Sequence, residues 1–190
     1  MTHLDTLLFL WINATADTPA WLLALGRWVS TDLPALAVVG LVPLLLFGRS
    51  GRRQFVGVCL AMVLAWLAVR GIRETVHVAR PFELGLGGQW LEHAATASFP
   101  SFHAAVAGAW ALGLTLFAPS RPRRWLVVAG GLALAIGWSR VFLGLHFVSD
   151  IAVGLLVGAA CAVTARQGLA WGARRRAAWP IRPVAGSGNR

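Results

Sequence analysis

Two residues in the last third of this 190-residue chain have the makings of a catalytic pair. His146 is followed four residues later by Asp150, and at that spacing on a helix two side chains share a face. A carboxylate placed there holds one imidazole tautomer and stabilises positive charge on the ring, which is how a histidine nucleophile or base is activated. Alone, the pair reads equally well as two polar groups at a helix end. Upstream, Pro100-Ser101-Phe102-His103 places a second histidine just after a serine suited to cap a helix. Free backbone N–H groups at such an end also favour anions. The segment is either a capped helix and no more, or a capped end that binds phosphate while His103 donates a proton.

Three arginines accompany these residues: Arg73, Arg80 and Arg140. The guanidinium is a planar fork of donors matched to phosphate oxygens. An arginine near a helix end can also simply snorkel to the headgroups, a reading that applies to Arg70 and Arg73. It applies less to Arg80 and Arg140, which sit beside the other polar residues. His77 and His93 read as structural or interfacial.

The elements that must position these groups are apolar. The chain is 57% hydrophobic with a mean hydropathy of +0.68, and its apolar residues fall in runs at 33–47, 55–69, 104–118, 125–138 and 151–165. The backbone must satisfy its own hydrogen bonds in hydrocarbon, so the expected fold is all-α, a polytopic transmembrane bundle of five to six helices. Residues 4–12 and 21–29, separated by a turn at 13–19, are either interfacial helices or part of a first span. A run of about fifteen residues reaches roughly 22 Å, short of a hydrocarbon core of about 30 Å. The helices must therefore extend into their polar flanks. Residues 1–170 are expected to form the membrane-embedded domain and residues 171–190 a basic, mobile cytoplasmic tail.

The formal net charge of +10 is concentrated at the ends of the apolar runs, in Arg49, Arg52 and Arg53, in Arg121, Arg123 and Arg124, and in Arg174, Arg175 and Arg176. That is the positive-inside pattern of cytoplasmic loops, not a nucleic-acid patch. With these clusters on one side, residues 73–100 and 139–150 fall together on the other, bringing His103, Arg140, His146 and Asp150 to one membrane face. Cys59 and Cys161 lie inside apolar runs and read as small hydrophobes rather than a disulfide. Residues 1–5 lack the basic start of a cleavable signal. Asn13-Ala14-Thr15 matches a glycosylation acceptor, a signal too short to carry weight.

Taken together, these segments resemble the type 2 phosphatidic acid phosphatase superfamily, which includes the vanadium haloperoxidases. Its pattern is a basic residue, six residues and Arg-Pro; then Pro-Ser-x-His; then Ser-Arg, five residues, His, three residues and Asp. Here these are Arg73 through Arg80-Pro81, Pro100-Ser101-Phe102-His103, and Ser139-Arg140 through His146 to Asp150. Arg73 stands where lysine is usual and Phe102 where glycine is usual, the latter bearing on substrate preference more than on chemistry. The stretches 11–17, 94–103 and 136–150 are similar to bacterial undecaprenyl-diphosphatases of this superfamily.

The resemblance implies a hydrolase in which His146 attacks phosphorus and becomes a phosphohistidine. Asp150 orients it, and His103 protonates the leaving oxygen and then helps activate water. Arg73, Arg80, Arg140 and Ser101 hold the phosphoryl oxygens, and Phe102, Pro81 and Ser139 are candidate substrate contacts. It implies no cofactor and no metal, with polyprenyl diphosphate and membrane lipids as partners and no nucleic acid. The site would face the periplasm or outside from a bacterial inner membrane. Another lipid phosphate (phosphatidylglycerol phosphate, phosphatidate or lipid A), a lipid phosphotransferase, and a transporter or scaffold with a degenerate site are the competing expectations.

Overall fold

Six α-helices carry the chain in a computed structural model that describes residues 2–118 and 122–178. They are α1 (His3–Ile12), α2 (Ala20–Val39), α3 (Gly48–Thr75), α4 (Phe102–Phe117), α5 (Pro122–Phe142) and α6 (Val148–Ala178). Short 3-10 turns occupy Val42–Leu46 and Pro81–Leu84, and no strand occurs among the described residues. The all-helical expectation holds.

The helices do extend into their flanks. Four segments, Ala20–Leu46, Gly48–Thr75, Arg123–Phe142 and Val148–Arg176, are long and apolar enough to cross a membrane. Their outward faces carry exposed Leu36, Val63, Val127 and Leu156, as lipid-facing surfaces require. The sequence reading separated 21–29 from 33–47; the structure runs one helix through both as far as Val39. Pro34 does not break it, although its ring supplies no N–H to the Ser30 carbonyl one turn back. At the other end, α6 continues to Ala178, so the boundary expected near 170 falls inside a helix. Of the expected tail, residues 179–190 lie outside the described residues.

The middle of the bundle is α4. At 16 residues it is only about 24 Å long, and it packs against α3, α5 and α6. Its buried positions are mostly small, Ala104, Ala105, Ala107, Gly108, Ala109, Ala111 and Gly113, with Trp110 and Leu114 the large exceptions. Where the small residues face a neighbour the backbones close up, as such residues allow between membrane helices. A Cβ at Gly108 would come within 2.8 Å of the Leu155 carbonyl oxygen, and one at Gly154 within 2.8 Å of the Ser101 oxygen. The close α4–α6 crossing sets the starts of both helices side by side. The ends of α3 and α5 meet them there, and the candidate residues gather at that end.

Candidate active site

The chain leaves α5 at Phe142, turns through Gly144 in a left-handed conformation (φ 81°) and enters α6 at Val148. A Cβ at Gly144 would collide with the Gly88 carbonyl, so this position needs glycine. His146 therefore lies just outside α6, not on it as the four-residue spacing suggests. Asp150, in the first turn, reaches back: its Oδ2 accepts the Phe147 N–H at 2.9 Å and lies 3.2 Å from His146 Nδ1. An acidic side chain at the third helical position bonding the cap residue's N–H is half of a capping box. The carboxylate holds the helix start and the imidazole at once. The Ser98 hydroxyl donates to the same Oδ2 and lies 3.2 Å from Nδ1. His146 and Asp150 are each 1% exposed.

With Nδ1 against a carboxylate, its proton resides there and Nε2 carries the lone pair. Facing Nε2 at 3.3 Å is Arg80 Nη1, which also donates to the Leu145 carbonyl at 2.9 Å. Arg80 also donates to Thr96, from Nε to the carbonyl at 2.9 Å and from Nη2 to the hydroxyl at 3.2 Å, which leaves an Nη2 N–H over. Its side chain is fully buried. Arg73, in the last turn of α3, donates from Nε and Nη2 to the Pro100 carbonyl at 2.9 and 2.7 Å, and from Nη2 to that of Ser98 at 3.0 Å. Its guanidinium rests 4.4 Å above the Phe102 ring. At the usual glycine position, Phe102 thus supplies a platform for the arginine that replaces the usual lysine. Arg140, 2% exposed near the end of α5, donates from Nη1 to Ser30 Oγ at 2.8 Å. Its Nε and Nη2 are buried with no hydrogen-bond partner. Orphaned guanidinium donors are costly, and an anion would satisfy them.

Ser101 caps α4, its Oγ accepting from Ala104 N at 3.4 Å, while its own N–H donates to the Asp150 carbonyl at 3.1 Å. That second bond ties the start of α4 to the start of α6. His103, half-buried, lines an apolar cavity of about 210 Å³ with Pro34, Met62, Phe102 and Trp110. Ser139 and Pro81 are placed otherwise than as open substrate contacts. The Ser139 hydroxyl donates to the Ile136 carbonyl of its own helix at 2.7 Å, and Pro81 is buried at the turn after Arg80. His77 is exposed, and His93 Nδ1 lies 2.9 Å from the adjacent Ala94 carbonyl.

Burial pushes the His146 imidazole well below its ordinary range, and the nearby Arg80, Arg140 and Arg73 charges push the same way. This favours the neutral ring, whose Nε2 lone pair faces Arg80 Nη1. Burial also lowers Arg80, opposed by the Asp150 and Glu83 carboxylates. Among the described residues no three His, Cys, Asp or Glu side chains gather to hold a metal ion. The arrangement is a buried histidine–carboxylate pair under excess positive charge, a geometry suited to chemistry on an anionic phosphoryl group.

Ser98, Thr96 and Ser30 escaped the sequence reading. Ser98 and Thr96 lie in the irregular segment before α4, and Ser30 lies 110 positions from the arginine it holds. The contacts of the N-terminal helix with the site also escaped it: Asp5 accepts from Ser149 N at 3.0 Å and Ser149 Oγ at 2.6 Å. Asn13 then exchanges hydrogen bonds with Gly88 at 3.0 and 2.7 Å and donates to the Phe142 carbonyl at 3.1 Å.

Comparison with known proteins agrees with this geometry. The chain is 33% identical over 159 residues to YbjG of Escherichia coli, whose name assigns it provisionally as an undecaprenyl-diphosphatase; the match covers 83% of this chain and 79% of that one. It is 31% identical over 118 residues to the undecaprenyl-diphosphatase BcrC of Bacillus subtilis, covering 62% and 59%. Its fold is similar to that of Aquifex aeolicus LpxE, with TM-score 0.74 and 23% identity over 87% of this chain and 96% of that one. It is also similar to a transmembrane PAP2-type phosphatidylglycerolphosphate phosphatase of Bacillus subtilis, with TM-score 0.68 and 21% identity over 89% and 85%. The PAP2 superfamily model matches residues 54–173, and this chain is a multi-pass membrane phosphatase belonging to that superfamily.

Proposed function

We propose that this phosphatase cleaves undecaprenyl diphosphate to undecaprenyl phosphate and inorganic phosphate, recycling a carrier lipid of the cell envelope. The observation that carries the mechanism is the division of the His146 ring: Asp150 and Ser98 hold Nδ1, leaving Nε2 to attack beside Arg80. Nε2 attacks the terminal phosphorus, the bond to the bridging oxygen breaks, and His103 protonates the departing monophosphate. Water activated by His103 then cleaves the phosphohistidine. The unfilled donors of Arg140, with Arg73 and Arg80, receive the phosphoryl oxygens, where fixed donors stabilise charge developing in the transition state.

The relatives named as undecaprenyl-diphosphatases support the choice of substrate. So does the apolar cavity beside His103, a berth for the first units of a polyprenyl tail. The arginine clusters at the opposite end favour a site on the periplasmic or outer face. Purified protein in detergent, with EDTA present, is expected to release phosphate from undecaprenyl diphosphate faster than from phosphatidylglycerol phosphate or phosphatidate. His146→Ala should abolish that release while the protein stays folded. Faster release from either glycerolipid would overturn the substrate assignment, and near-wild-type turnover by the variant would overturn the nucleophile.

A further inference from the structure

At the end of the bundle away from the candidate site, a cleft of about 890 Å³ opens between the start of α3, the end of α4 and the far half of α6. Arg52, Arg53, Arg166 and Arg176 line it, together with the apolar side chains of Phe117 and Leu169. None of the four arginines has a carboxylate partner among the described residues, whose ion pairs are Arg70–Glu74 and His146–Asp150. The sequence explains why: it carries no Asp or Glu between Asp32 and Glu74, and none after Asp150.

Depth along the helices identifies the complement. Arg166 lies about 27 Å from the start of α6 and Arg53 about 33 Å from the end of α3, at 1.5 Å per residue. Both are therefore near the far boundary of a hydrocarbon core of about 30 Å, where lipid phosphates lie. Snorkelling alone would account for cations at that depth but not for a cleft with apolar walls. Gly168 and Gly172 border open space, since a Cβ at either would meet nothing within 4 Å.

We infer that this cleft binds an anionic glycerophospholipid of the bilayer, its phosphate among the arginines and its acyl chains against Phe117 and Leu169. Basic pockets between membrane helices recognise acidic headgroups in this way, and arginine pairs with phosphate through two donors at once.

The test is native mass spectrometry of the full chain in mild detergent, with equimolar phosphatidylglycerol and phosphatidylcholine of the same acyl composition. Wild type should retain phosphatidylglycerol preferentially. Arg53→Gln combined with Arg166→Gln should cut that preference by roughly thirtyfold. Gly172→Leu fills the cleft at unchanged charge and should also displace the lipid. Arg140→Gln, at the other end of the bundle, should leave retention unchanged. Equal retention of the two lipids by wild type would overturn the inference. So would loss of the bound lipid in Arg140→Gln with retention in the double variant, which would place it in the phosphatase site.

Discussion

Replacing Asp150 by Asn separates charge from geometry at the centre of the site. The Ser98 hydroxyl, the Phe147 N–H and the His146 Nδ1–H all converge on one oxygen of the Asp150 side chain, Oδ2. An asparagine whose carbonyl oxygen takes that position keeps all three acceptor contacts and the helix start, and loses only the negative charge. In the proposed mechanism that charge matters when His146 becomes cationic on attack. At the observed 3.2 Å and an effective dielectric of about 20, the attraction is about 5 kcal/mol. This is an upper bound, because both charges are delocalised over several atoms. The expected result is a fall in kcat on the order of 10³-fold. KM should stay level or decrease, since the three arginines then face the substrate's phosphates with less compensation. Steady-state phosphate release in detergent measures both constants, and the melting temperature reports whether the fold survives. A kcat within threefold of wild type, or a loss confined to KM, would refute the role given to the carboxylate.

Three further outcomes follow from the same geometry. Arg140→Met removes a buried cation with two unfilled donors, so the substrate-free protein should gain about 1 kcal/mol or more of stability. The same change should cut kcat/KM on the order of 10²-fold or more; a lower melting temperature would contradict this. Because the His146 pKa is lowered, its neutral form persists as pH falls past 6.5, and kcat/KM should hold its plateau below that value. After allowance for substrate ionisation, a one-proton acid limb centred at or above pH 6.5 would count against a neutral His146. Asn13→Ala removes three hydrogen bonds that fasten α1 to Gly88 and Phe142, at an expected cost of about 3 kcal/mol visible as a lowered melting temperature. An unchanged melting point would show that α1 does not brace the site.

The site was legible where chemistry is written locally. The spacing of His146 and Asp150, the cap at Ser101 and the segregation of arginines from the polar face all point to residues that the fold brings together. The i,i+4 argument brought these two side chains together by way of the wrong geometry, because His146 precedes α6 and Asp150 reaches back to it across a helix cap. Ser30 could not be found: a serine mid-helix has no local reason to face an arginine 110 positions away. The division between 21–29 and 33–47 failed because Asp32 and Pro34 resemble helix punctuation, yet α2 runs through both. Asn13 had a glycosylation signature, and its side chain is instead buried and committed to Gly88 and Phe142.

Arg73 and Arg80 are clamped largely by main-chain carbonyls, those of Pro100, Ser98, Thr96 and Leu145. A carbonyl persists whatever side chain its residue carries. Mutational drift at Leu145 can therefore change the residue without releasing the arginine, and a compensating substitution is not called for. Covariation between alignment columns would leave these clamps unmarked, although they are among the shortest polar contacts in the site. Lineages of this enzyme can diverge at those positions while the cationic pocket stays in place.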